Sequence, residues 1–510
     1  MCRVIVPDTN VSFPDISIAV ATLFMFINRS PTLLPSIVIP SIYTCLLYTS
    51  DNVEVAGDTK YVYISRPPIT TYCPNCSCRM HSEGIYKRKI KHPILQDSTC
   101  IIFIVSQRKW KCTNCKTYVN ESYPFFKPYK QSTDITPMLI LEAMKDLSRS
   151  SASIARQFHL SDTKVHDIFT AFVDLPRLKL PEFLSVDEVH IDISENEKYA
   201  LVLMDFASGQ IIDILHNRWQ STAEDYFLSI PYDERKNVRF IISDAYKSYM
   251  DYPQQFFPNA VSVLDSFHVI KFLTSMINDY INLVMKSYKK KDREALDQSN
   301  FETNRDNKTI KESREVILLK KYRWVLLKNQ DDIIHSHRRY YHRSLGIYAD
   351  TYMIEKMFLE LDPRFPMILE AKEKYISFNK TSFDSEDAVM SELNKLITEF
   401  KASRSYIPRK FSEYLDKYKN EIVRSFTVTE VSRRNATDSD RYYARLPNGP
   451  MESFNRKPKD YKRNSRGFSN FDYTRNRILW STRNHPAIRN MPKPQEEIHS
   501  YRGKKRGTIK

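Results

Sequence analysis

No apolar run in the 510-residue sequence is long enough to span a bilayer. The most apolar stretch covers residues 16–28 and is followed at once by Arg29 and Pro31. It also lacks the basic segment that begins a secretory signal peptide. These absences argue against a membrane protein and a secreted one, and they predict a cytoplasmic protein. Glycine is scarce too, with 8 residues, and the abundance of Lys, Asn, Ile and Tyr beside it resembles the bias of an AT-rich coding sequence.

What the sequence has in excess is positive charge. Lysine and arginine number 77 against 61 aspartate and glutamate, which gives a formal net charge of +16. A charge of this size favours polyanionic partners, with nucleic acid first and a membrane surface second. The length predicts two to four domains. Residues 1–50 have no clear period, and residues 44–51 (TCLLYTSD) resemble a translated sequencing adapter, so we expect an artefactual start and assign this segment no function.

Half of the eight cysteines form two CxxC pairs, which supply the four thiolates of a structural tetrahedral Zn²⁺ site. The candidate zinc ligands are Cys73, Cys76, Cys112 and Cys115. Residues 86–94 and 100–112 look like strands and are predicted to form the hairpin arms of a zinc ribbon. A cytosolic setting argues against disulfides. Three further residues stay open as substitute ligands: Cys78, His81 and Cys100. The basic arms suit phosphate contact, although a solvated basic face is nearly as good an interpretation.

Residues 133–176 predict three helices, over 137–148, 151–158 and, after a cap at Ser161, 162–172. Apolar residues recur in them at helical spacing. The second and third helices have the size and pattern of a helix-turn-helix, although the turn lacks the glycine often found there. An ordinary three-helix core is the alternative. The candidate DNA-contacting residues at the start of the third helix are Thr163, Lys164 and His166.

From residue 183 the pattern changes to three strands, a helix, a strand, a helix, a strand and a helix, which is the order of an RNase H-like fold. In that fold the first and fourth strands are neighbours. Asp187 lies in the first and Asp244 ends the fourth, so the two carboxylates are expected to lie close together at the edge of a core. Two like charges there require a cation. Mg²⁺ suits the position because it takes one or two carboxylates plus phosphate.

Residues 448–468 (NGPMESFNRKPKDYKRNSRGF) are strongly basic, yet Glu452 stands at their upstream end. The candidate DNA-backbone contacts in this segment are Arg456, Lys457, Lys459, Lys462 and Arg463. A carboxylate that begins such a helix is either a chance surface residue or a metal ligand held beside nucleic acid. Asn455 follows at i+3 and should share the face of Glu452.

Together these motifs resemble the IS-L-three family of bacterial insertion-sequence transposases, which carry a DDE catalytic triad. The resemblance covers residues 55–490 and rests on the CxxC pairs, the helix-turn-helix, SVDEVHI, IISDAYKSY, LDSFHVIK and PMESFNRKPKDYKRNSRGFSNFDYTRNRILW. It implies a triad of Asp187, Asp244 and Glu452 that binds two Mg²⁺ or Mn²⁺ ions beside one structural Zn²⁺. It also implies cleavage of transposon ends and their joining to target double-stranded DNA, by a homodimer in the DNA complex, in the cytoplasm and associated with the nucleoid.

Four more residues are expected around the triad: Glu188, Asp265, His268 and Asn455. Asp265 rivals Asp244 as the second ligand, and Asp244 is preferred for its place at a strand end. His268 either contacts phosphate or caps and packs the next helix. Glu188 should point to the opposite face of the strand from Asp187.

The predicted class is a multidomain α+β protein: a zinc ribbon, a helix-turn-helix and an RNase H-like α/β catalytic core with a large all-α insertion. The predicted segments are an unassigned 1–50, the ribbon 51–125, the helix-turn-helix 126–175, the first part of the core 180–268, the insertion 269–440, the last core helix 441–490 and a basic tail 491–510. Two alternatives remain: a non-catalytic DNA-binding regulator derived from a transposase, and an RNase H-like nuclease that cuts without joining.

Overall fold

The computed structural model describes most of the chain. The described residues are 49–93, 100–191, 198–303, 312–431, 442–446, 449–465 and 470–500. The segment 1–48 and the end of the predicted tail at 501–510 lie outside the described residues. Most of residues 432–449, which the sequence predicts as the loop back to the catalytic core, also lies outside them. The chain divides into two compact units, residues 1–174 with 487–510, and residues 175–486.

The first unit contains a sheet around the cysteine pairs. Strands β1 (Thr49–Ala56) and β2 (Thr59–Ser65) pair antiparallel, and β2 runs parallel to β4 (Cys100–Lys111). β4 also pairs antiparallel with β3 (His81–His92) and β5 (Tyr118–Asn120). The segments predicted as hairpin arms are thus β3 and β4, while the pairing of β2 beside them was not anticipated. A small core lies on this sheet, built from Ile64, Ile90, Val105, Tyr123 and Phe126.

Three helices follow in the same unit: α1 (Thr136–Ala143), α2 (Ser151–Gln157) and α3 (Asp162–Phe172). The Ser161 side chain accepts a hydrogen bond from the backbone N–H of Lys164, so the predicted cap is confirmed. α1 ends earlier than the predicted residue 148. The Asp146 carboxylate accepts the backbone N–H of Ser148 at 2.8 Å, and such a local turn competes with helix. His159, with φ of 51°, takes the left-handed position of the turn that glycine usually fills.

The second unit is built around a five-stranded mixed sheet. Its strands are β6 (Phe183–His190), β7 (Tyr199–Asp205), β8 (Ile211–Leu215), β9 (Phe240–Ser243) and β10 (Val261–Leu264), in the spatial order β10-β9-β6-β7-β8. β6, β7 and β8 are antiparallel, whereas β9 lies parallel to both β6 and β10. The predicted adjacency of the first and fourth strands is confirmed.

Three helices connect these strands: α4 (Gln220–Leu228), α5 (Tyr232–Arg235) and α6 (Lys247–Phe256). The core between them and the sheet is largely aromatic, with Phe227, Tyr249, Tyr252, Phe256 and Phe257 all buried. Burying rings of this size against β-branched strand residues is a large source of stability, since each ring removes about 150–250 Å² from water. This packing holds β6, which carries Asp187, and the end of β9, which Asp244 follows directly.

The region between β10 and residue 425 is mainly helical. Its helices are α7 (Ser266–Thr303), α8 (Arg314–Lys321), α9 (Trp324–Leu327), α10 (Thr351–Leu359), α11 (Phe365–Lys380), α12 (Glu386–Lys401), α13 (Tyr406–Lys417) and α14 (Lys419–Arg424), with a 3₁₀ turn at Gln330–Asp332. The prediction of an all-α insertion is wrong, because β11 (Tyr340–His342) and β12 (Ile347–Ala349) form a hairpin within it. Tyrosine and isoleucine favour strand, and Gly346 closes the turn with φ of 68°.

The chain returns to the sheet of the second unit after a second hairpin, β13 (Val428–Val431) with β14 (Tyr442–Arg445). Helices α15 (Gly449–Ser465) and α16 (Phe471–Thr482) follow, and α15 packs on β6. Arg475 of α16 is ion-paired with Asp213 of β8 at 2.5 Å, which fixes this end of the chain to the sheet. The last helix, α17 (Gln495–Ser500), belongs to the first unit. None of the described helices is both long and apolar enough to cross a membrane.

Candidate functional site

The first unit brings the four predicted zinc ligands together. The Sγ atoms of Cys73, Cys76, Cys112 and Cys115 all lie within 4.8 Å of one another. Sγ of Cys73 is 3.3 Å from that of Cys115, and Sγ of Cys76 is 3.5 Å from that of Cys112. A tetrahedral zinc with Zn–S bonds of about 2.3 Å separates its sulfurs by roughly 3.8 Å. The donor set and spacing therefore fit a zinc ion. The open substitutes Cys78, His81 and Cys100 are not part of this cluster.

The two CxxC segments have the same backbone geometry. In each, the first cysteine carbonyl accepts a hydrogen bond from the residue four positions on, which has a positive φ: Ser77 with 59° and Lys116 with 61°. The backbone hydrogen bonds that close these turns fold each pair back on itself. The backbone N–H of Cys78 is the largest influence that lowers the pKa of the Cys76 thiol, to about 6. The pKa of the Cys115 thiol is lowered too, first by its hydrogen bond with the Thr117 side chain. Hydrogen bonds within the cysteine turns thus favour thiolate, the form that binds a metal.

In the second unit, three aspartates lie in register across neighbouring strands. The parallel pairing of β6 with β9 aligns Ser185 with Ile242, and that of β9 with β10 aligns Ser243 with Leu264. When the β6–β9 register is continued by two residues, Asp187 lies opposite Asp244. When the β9–β10 register is continued by one residue, Asp244 lies opposite Asp265. Both rivals for the second carboxylate therefore lie at the same sheet edge, with Asp244 nearer in strand order to Asp187.

The carboxyl of Asp187 has a raised pKa. Its pKa is raised to about 6, chiefly by burial and to a lesser extent by the charges of Asp244 and Glu188. The Glu188 backbone N–H, which donates to Asp187 Oδ1 at 2.7 Å, and the nearby His268 act in the opposite direction. A carboxyl whose pKa is raised by burial and that has a second acid beside it is a typical cation-binding group.

Glu452 lies half-buried in the first turn of α15. Burial raises the pKa of Glu452, and so does the charge of Asp265, whereas His268, Lys271 and Arg456 lower it. His268 thus influences Asp187 and Glu452 alike. Its Nε2 is 3.8 Å from the carboxylate of the fully buried Asp265. The predicted residues Asp265 and His268 consequently lie with the three acids of the predicted triad at one edge of the sheet.

Asn455 joins the two halves of the site. Its Nδ2 donates to Asp187 Oδ2 at 2.7 Å, which connects α15 directly to β6. The side chain is 4% exposed, and its Oδ1 is buried with no hydrogen-bond partner among the described residues. A buried amide oxygen without a partner costs free energy unless a donor or cation occupies the site. An oxygen donor beside carboxylates is what Mg²⁺ prefers, so the residues present fit a divalent ion.

Glu188 points away from these acids. Its carboxylate accepts hydrogen bonds from Arg218 and from the Tyr249 hydroxyl, the latter at 3.3 Å. Arg218 in turn stacks over the Tyr199 and Tyr246 rings at 4.6 and 5.5 Å. The sequence pattern gave the direction of Glu188 correctly but missed Arg218. No sequence signal marks that contact, because 30 residues separate the partners.

The predicted DNA-contacting residues are mostly exposed. Thr163 and Lys164 are exposed at the start of α3, and His166 is half-buried beside Asp167. In α15 the exposed cations are Arg456, Lys457, Lys459 and Arg463, whereas Lys462 is half-buried with Nζ 3.3 Å from Nδ1 of His190. Arg463 also pairs with Asp460 at 3.3 Å, which reduces its free charge.

The acids of the second unit are more widely spaced than the cysteines. Within the part of the chain that the structure describes, the four cysteines are the only group of three or more Cys, His, Asp or Glu side chains with ligand atoms within 4.8 Å of one another. The carboxylates thus share a sheet edge without forming a closed ligand set.

A family model described as "Transposase", for the DDE transposases of the IS-L-three (ISL3) family, matches residues 184–478, which is more than half of the chain. The chain belongs to this transposase family. The matched region of the ISL3 chain contains Asp187, Asp244 and Glu452, and membership implies the use of divalent metal. Asn455 also lies within the matched region.

A curated relative is the transposase for insertion sequence element IS1001 from Bordetella parapertussis. It is 24% identical to the ISL3 chain over 288 residues, which cover 55% of this chain and 64% of the relative. The match therefore spans a little less than two thirds of the length of that transposase.

Proposed function

We propose that the chain is a DNA transposase that binds the terminal inverted repeats of its element and catalyses metal-dependent strand cleavage and strand transfer. The observation that carries the proposal is the hydrogen bond from Asn455 to Asp187. It attaches the helix that bears Glu452 to the strand whose neighbour ends at Asp244. Residues 268 positions apart in sequence thereby meet at one edge of a sheet, beside a helix rich in cations.

The proposed core is RNase H-like. The spatial order β10-β9-β6-β7-β8, with three antiparallel strands followed by two parallel ones, supports this assignment. The triad in it is Asp187, Asp244 and Glu452. Two Mg²⁺ or Mn²⁺ ions held by these acids would activate an attacking oxygen and stabilise a leaving one. The reaction is phosphoryl transfer: an oxygen of water or of a DNA 3′ end replaces an oxygen of the backbone phosphodiester.

The protein groups around the triad have separate tasks. Asn455 fixes the orientation of the Asp187 carboxylate, and its free Oδ1 is available to a cation. The charge of His268 lowers the pKa of both Asp187 and Glu452, and His268 contacts a DNA phosphate in this proposal. The exposed lysines and arginines of α15 hold the DNA backbone and offset the repulsion between the acids and the substrate.

The first unit supplies the proposed DNA-binding modules. The four cysteines bind one structural Zn²⁺ in a zinc ribbon, and α2 with α3 forms a helix-turn-helix. Thr163, Lys164 and His166 lie at the start of α3, where a recognition helix contacts bases. Two transposon ends have to be held together for joining, which supports a homodimer in the DNA complex. Cytoplasmic and nucleoid-associated location stays a prediction from this substrate.

The test uses the zinc-loaded full chain with Mg²⁺ and DNA that carries the inverted repeats of its element. We expect end cleavage and joining with the natural protein and neither with Asp187→Ala or Glu452→Gln. Full activity of either variant would overturn the triad. Binding without cleavage would favour the regulator, and cleavage without joining would favour the nuclease.

A further inference from the structure

The hairpin in the helical region has an unusual composition. Residues 333–349 contain three arginines, three histidines and three tyrosines, with no aspartate or glutamate. We call residues 338–349 the tyrosine hairpin. It consists of β11, β12 and the turn that joins them, with two arginines just before β11. Neither the helical periodicity of the surrounding sequence nor the proposed active site accounts for this segment.

One face of the tyrosine hairpin is anchored to the helical core. Ala349 and Leu345 are buried in that core. The His342 ring accepts or donates a hydrogen bond at Nδ1 with the Tyr322 hydroxyl at 2.8 Å, and its Nε2 lies 3.2 Å from the Ala349 carbonyl oxygen. The hairpin is therefore held in place by its own inner face, so its other face needs no contact with this chain for stability.

The other face presents aromatic rings to solvent. Tyr341 and Tyr348 lie opposite each other in the strand register, with ring centroids 5.1 Å apart. They are 56% and 67% exposed, and Tyr340 beside them is 54% exposed. The Arg338 guanidinium lies 5.3 Å from the centroid of the Tyr340 ring. The facing rings of Tyr341 and Tyr348 form a surface suited to a partner with flat apolar faces. Tyr340, the next residue along β11, belongs to the opposite face of the strand.

The arginines of the hairpin are free of acidic partners. Arg338, Arg339 and Arg343 are exposed, and none forms an ion pair with a carboxylate among the residues that the structure describes. Surface cations elsewhere in the helical region behave differently: Lys380 pairs with Asp331 at 2.7 Å and Lys401 with Asp416 at 3.0 Å. The positive charge of the hairpin is thus available to an external anion.

We propose that the tyrosine hairpin binds single-stranded DNA. Unpaired bases stack on Tyr341 and Tyr348, and the strand phosphates contact Arg338, Arg339 and Arg343. Stacking on aromatic rings beside arginines is the general way in which proteins hold single strands without reading their sequence. A duplex offers phosphates to the arginines, but its stacked bases leave no exposed faces for the tyrosine rings. The binding needs no catalysis, so it goes beyond the strand-transfer reaction proposed above.

The test measures binding of a fluorescent 20-nucleotide single strand of mixed sequence to the zinc-loaded full chain without Mg²⁺, beside the same sequence as duplex. We expect Tyr341→Ala with Tyr348→Ala to weaken single-strand binding about 30-fold or more, because each lost stacking ring should weaken it about fivefold or more. Tyr341→Phe with Tyr348→Phe keeps the rings and should bind as the natural protein does. Both pairs lie on an exposed face, and thermal unfolding checks that they fold alike.

The charge component has a matched control. Arg338→Gln, Arg339→Gln and Arg343→Gln together should lower the slope of log affinity against log salt by about 2, since each phosphate on a single strand contributes about 0.7. A control triple removes three other exposed arginines and the same net charge: Arg314→Gln, Arg404→Gln and Arg409→Gln. The control should change the slope less than the hairpin triple does.

Photo-crosslinking locates the strand directly. A single strand with 5-iodouracil is irradiated on the protein, and the crosslinked peptide is identified by mass spectrometry. Crosslinks to Tyr341 or Tyr348 support the proposal. Unchanged affinity of the alanine pair, equal weakening by the phenylalanine pair, or crosslinks confined to other peptides would overturn it. If the protein binds single-stranded DNA through the hairpin but does not cleave transposon ends, the hairpin proposal is supported and only the function proposed above is contradicted.

Discussion

The cysteine cluster of the first unit and the carboxylate edge of the second are two candidate metal sites of opposite design. The cysteines come in two local pairs, each folded by backbone turns, and sulfurs of the two pairs lie 3.3–3.5 Å from one another. The carboxylates come from β6, the end of β9 and α15, and they do not form a closed set among the described residues. Structural zinc sites are closed by protein ligands, whereas catalytic Mg²⁺ sites rely on substrate phosphate and water for part of their shell. In the function proposed above, the cysteine site therefore contributes to stability and the carboxylate site to the chemistry.

The largest effect should come from removing one ligand of the cysteine cluster, which we call the closed site because protein ligands alone complete it. Cys112→Ser removes a fully buried thiolate, and we expect loss of bound zinc and unfolding of the β2–β5 sheet. Structural zinc contributes about 10 kcal/mol or more in small domains. Zinc content by elemental analysis and thermal unfolding measure this. Cys100→Ser is the matched control, because Cys100 lies outside the cluster and should retain one zinc per chain.

The next largest effect is a loss of activity at the carboxylate edge, which we call the open site because DNA and water would complete its ligands. The fold should stay intact. Asp187→Ala or Glu452→Gln should reduce strand cleavage by about 10³-fold, because metal-ion catalysis supplies several kcal/mol to the transition state. Zinc content should not change. Asp225→Asn, an exposed acid of α4, is the control and should cut normally. Equal zinc loss in the Asp187 variant would erase the distinction between the two sites.

A smaller effect is expected from the residue that orients the open site. Asn455→Ala deletes the hydrogen bond to Asp187 and the free Oδ1, and we expect activity to fall about 10–100-fold. The Mg²⁺ concentration for half-maximal cleavage should rise as well, and excess Mg²⁺ should restore part of the rate. A merely structural role would lower the melting temperature and leave the Mg²⁺ dependence unchanged.

The smallest effect is one of stability in the protein without Mg²⁺. Burial raises the pKa of Asp187 to about 6, so the folded state holds this proton more tightly than the unfolded chain does. The charged form therefore destabilises the fold, most at pH above 6 and less as the pH falls toward the unfolded value of about 3.9. Asp187→Asn should raise the free energy of unfolding at pH 7.5 by about 3 kcal/mol, since each pKa unit corresponds to about 1.4 kcal/mol. Denaturant titration at pH 7.5 and at pH 5 measures the free energy of unfolding of the variant and of the natural protein. If the difference between the two proteins were as large at pH 5 as at pH 7.5, the raised pKa of Asp187 would be contradicted.

The sequence predicted the closed site better than the open one for a physical reason. CxxC spacing fixes ligand geometry through local turns, so the four cysteines could be named without tertiary knowledge. The adjacency of β6 and β9 followed from the order of strands and helices. The hydrogen bond between Asn455 and Asp187, by contrast, depends on where α15 packs, and helical spacing only placed Asn455 on the face of Glu452.

The tyrosine hairpin shows where periodicity misleads. Long amphipathic helices on both sides favoured a wholly helical insertion, and a strand pair of three residues each is too short to give an alternating pattern. The end of α1 was missed for a similar reason. Just beyond the end of α1 the Asp146 side chain forms a local turn by accepting the backbone N–H of Ser148, and such a turn competes with helix. Competition between a side-chain turn and a helix is not detected when apolar residues at helical spacing are averaged over a window of several turns.

Affinity cleavage by iron tests the division between the two sites most directly. Fe²⁺ replaces Mg²⁺ on the protein bound to a transposon end, and hydroxyl radicals generated at the ion cut the backbone nearby. We predict cuts in β6, after β9 and at the start of α15, dependent on DNA and abolished by Asp187→Ala. Absence of cuts at all three segments, or cuts that persist in that variant, would contradict an open carboxylate site completed by DNA.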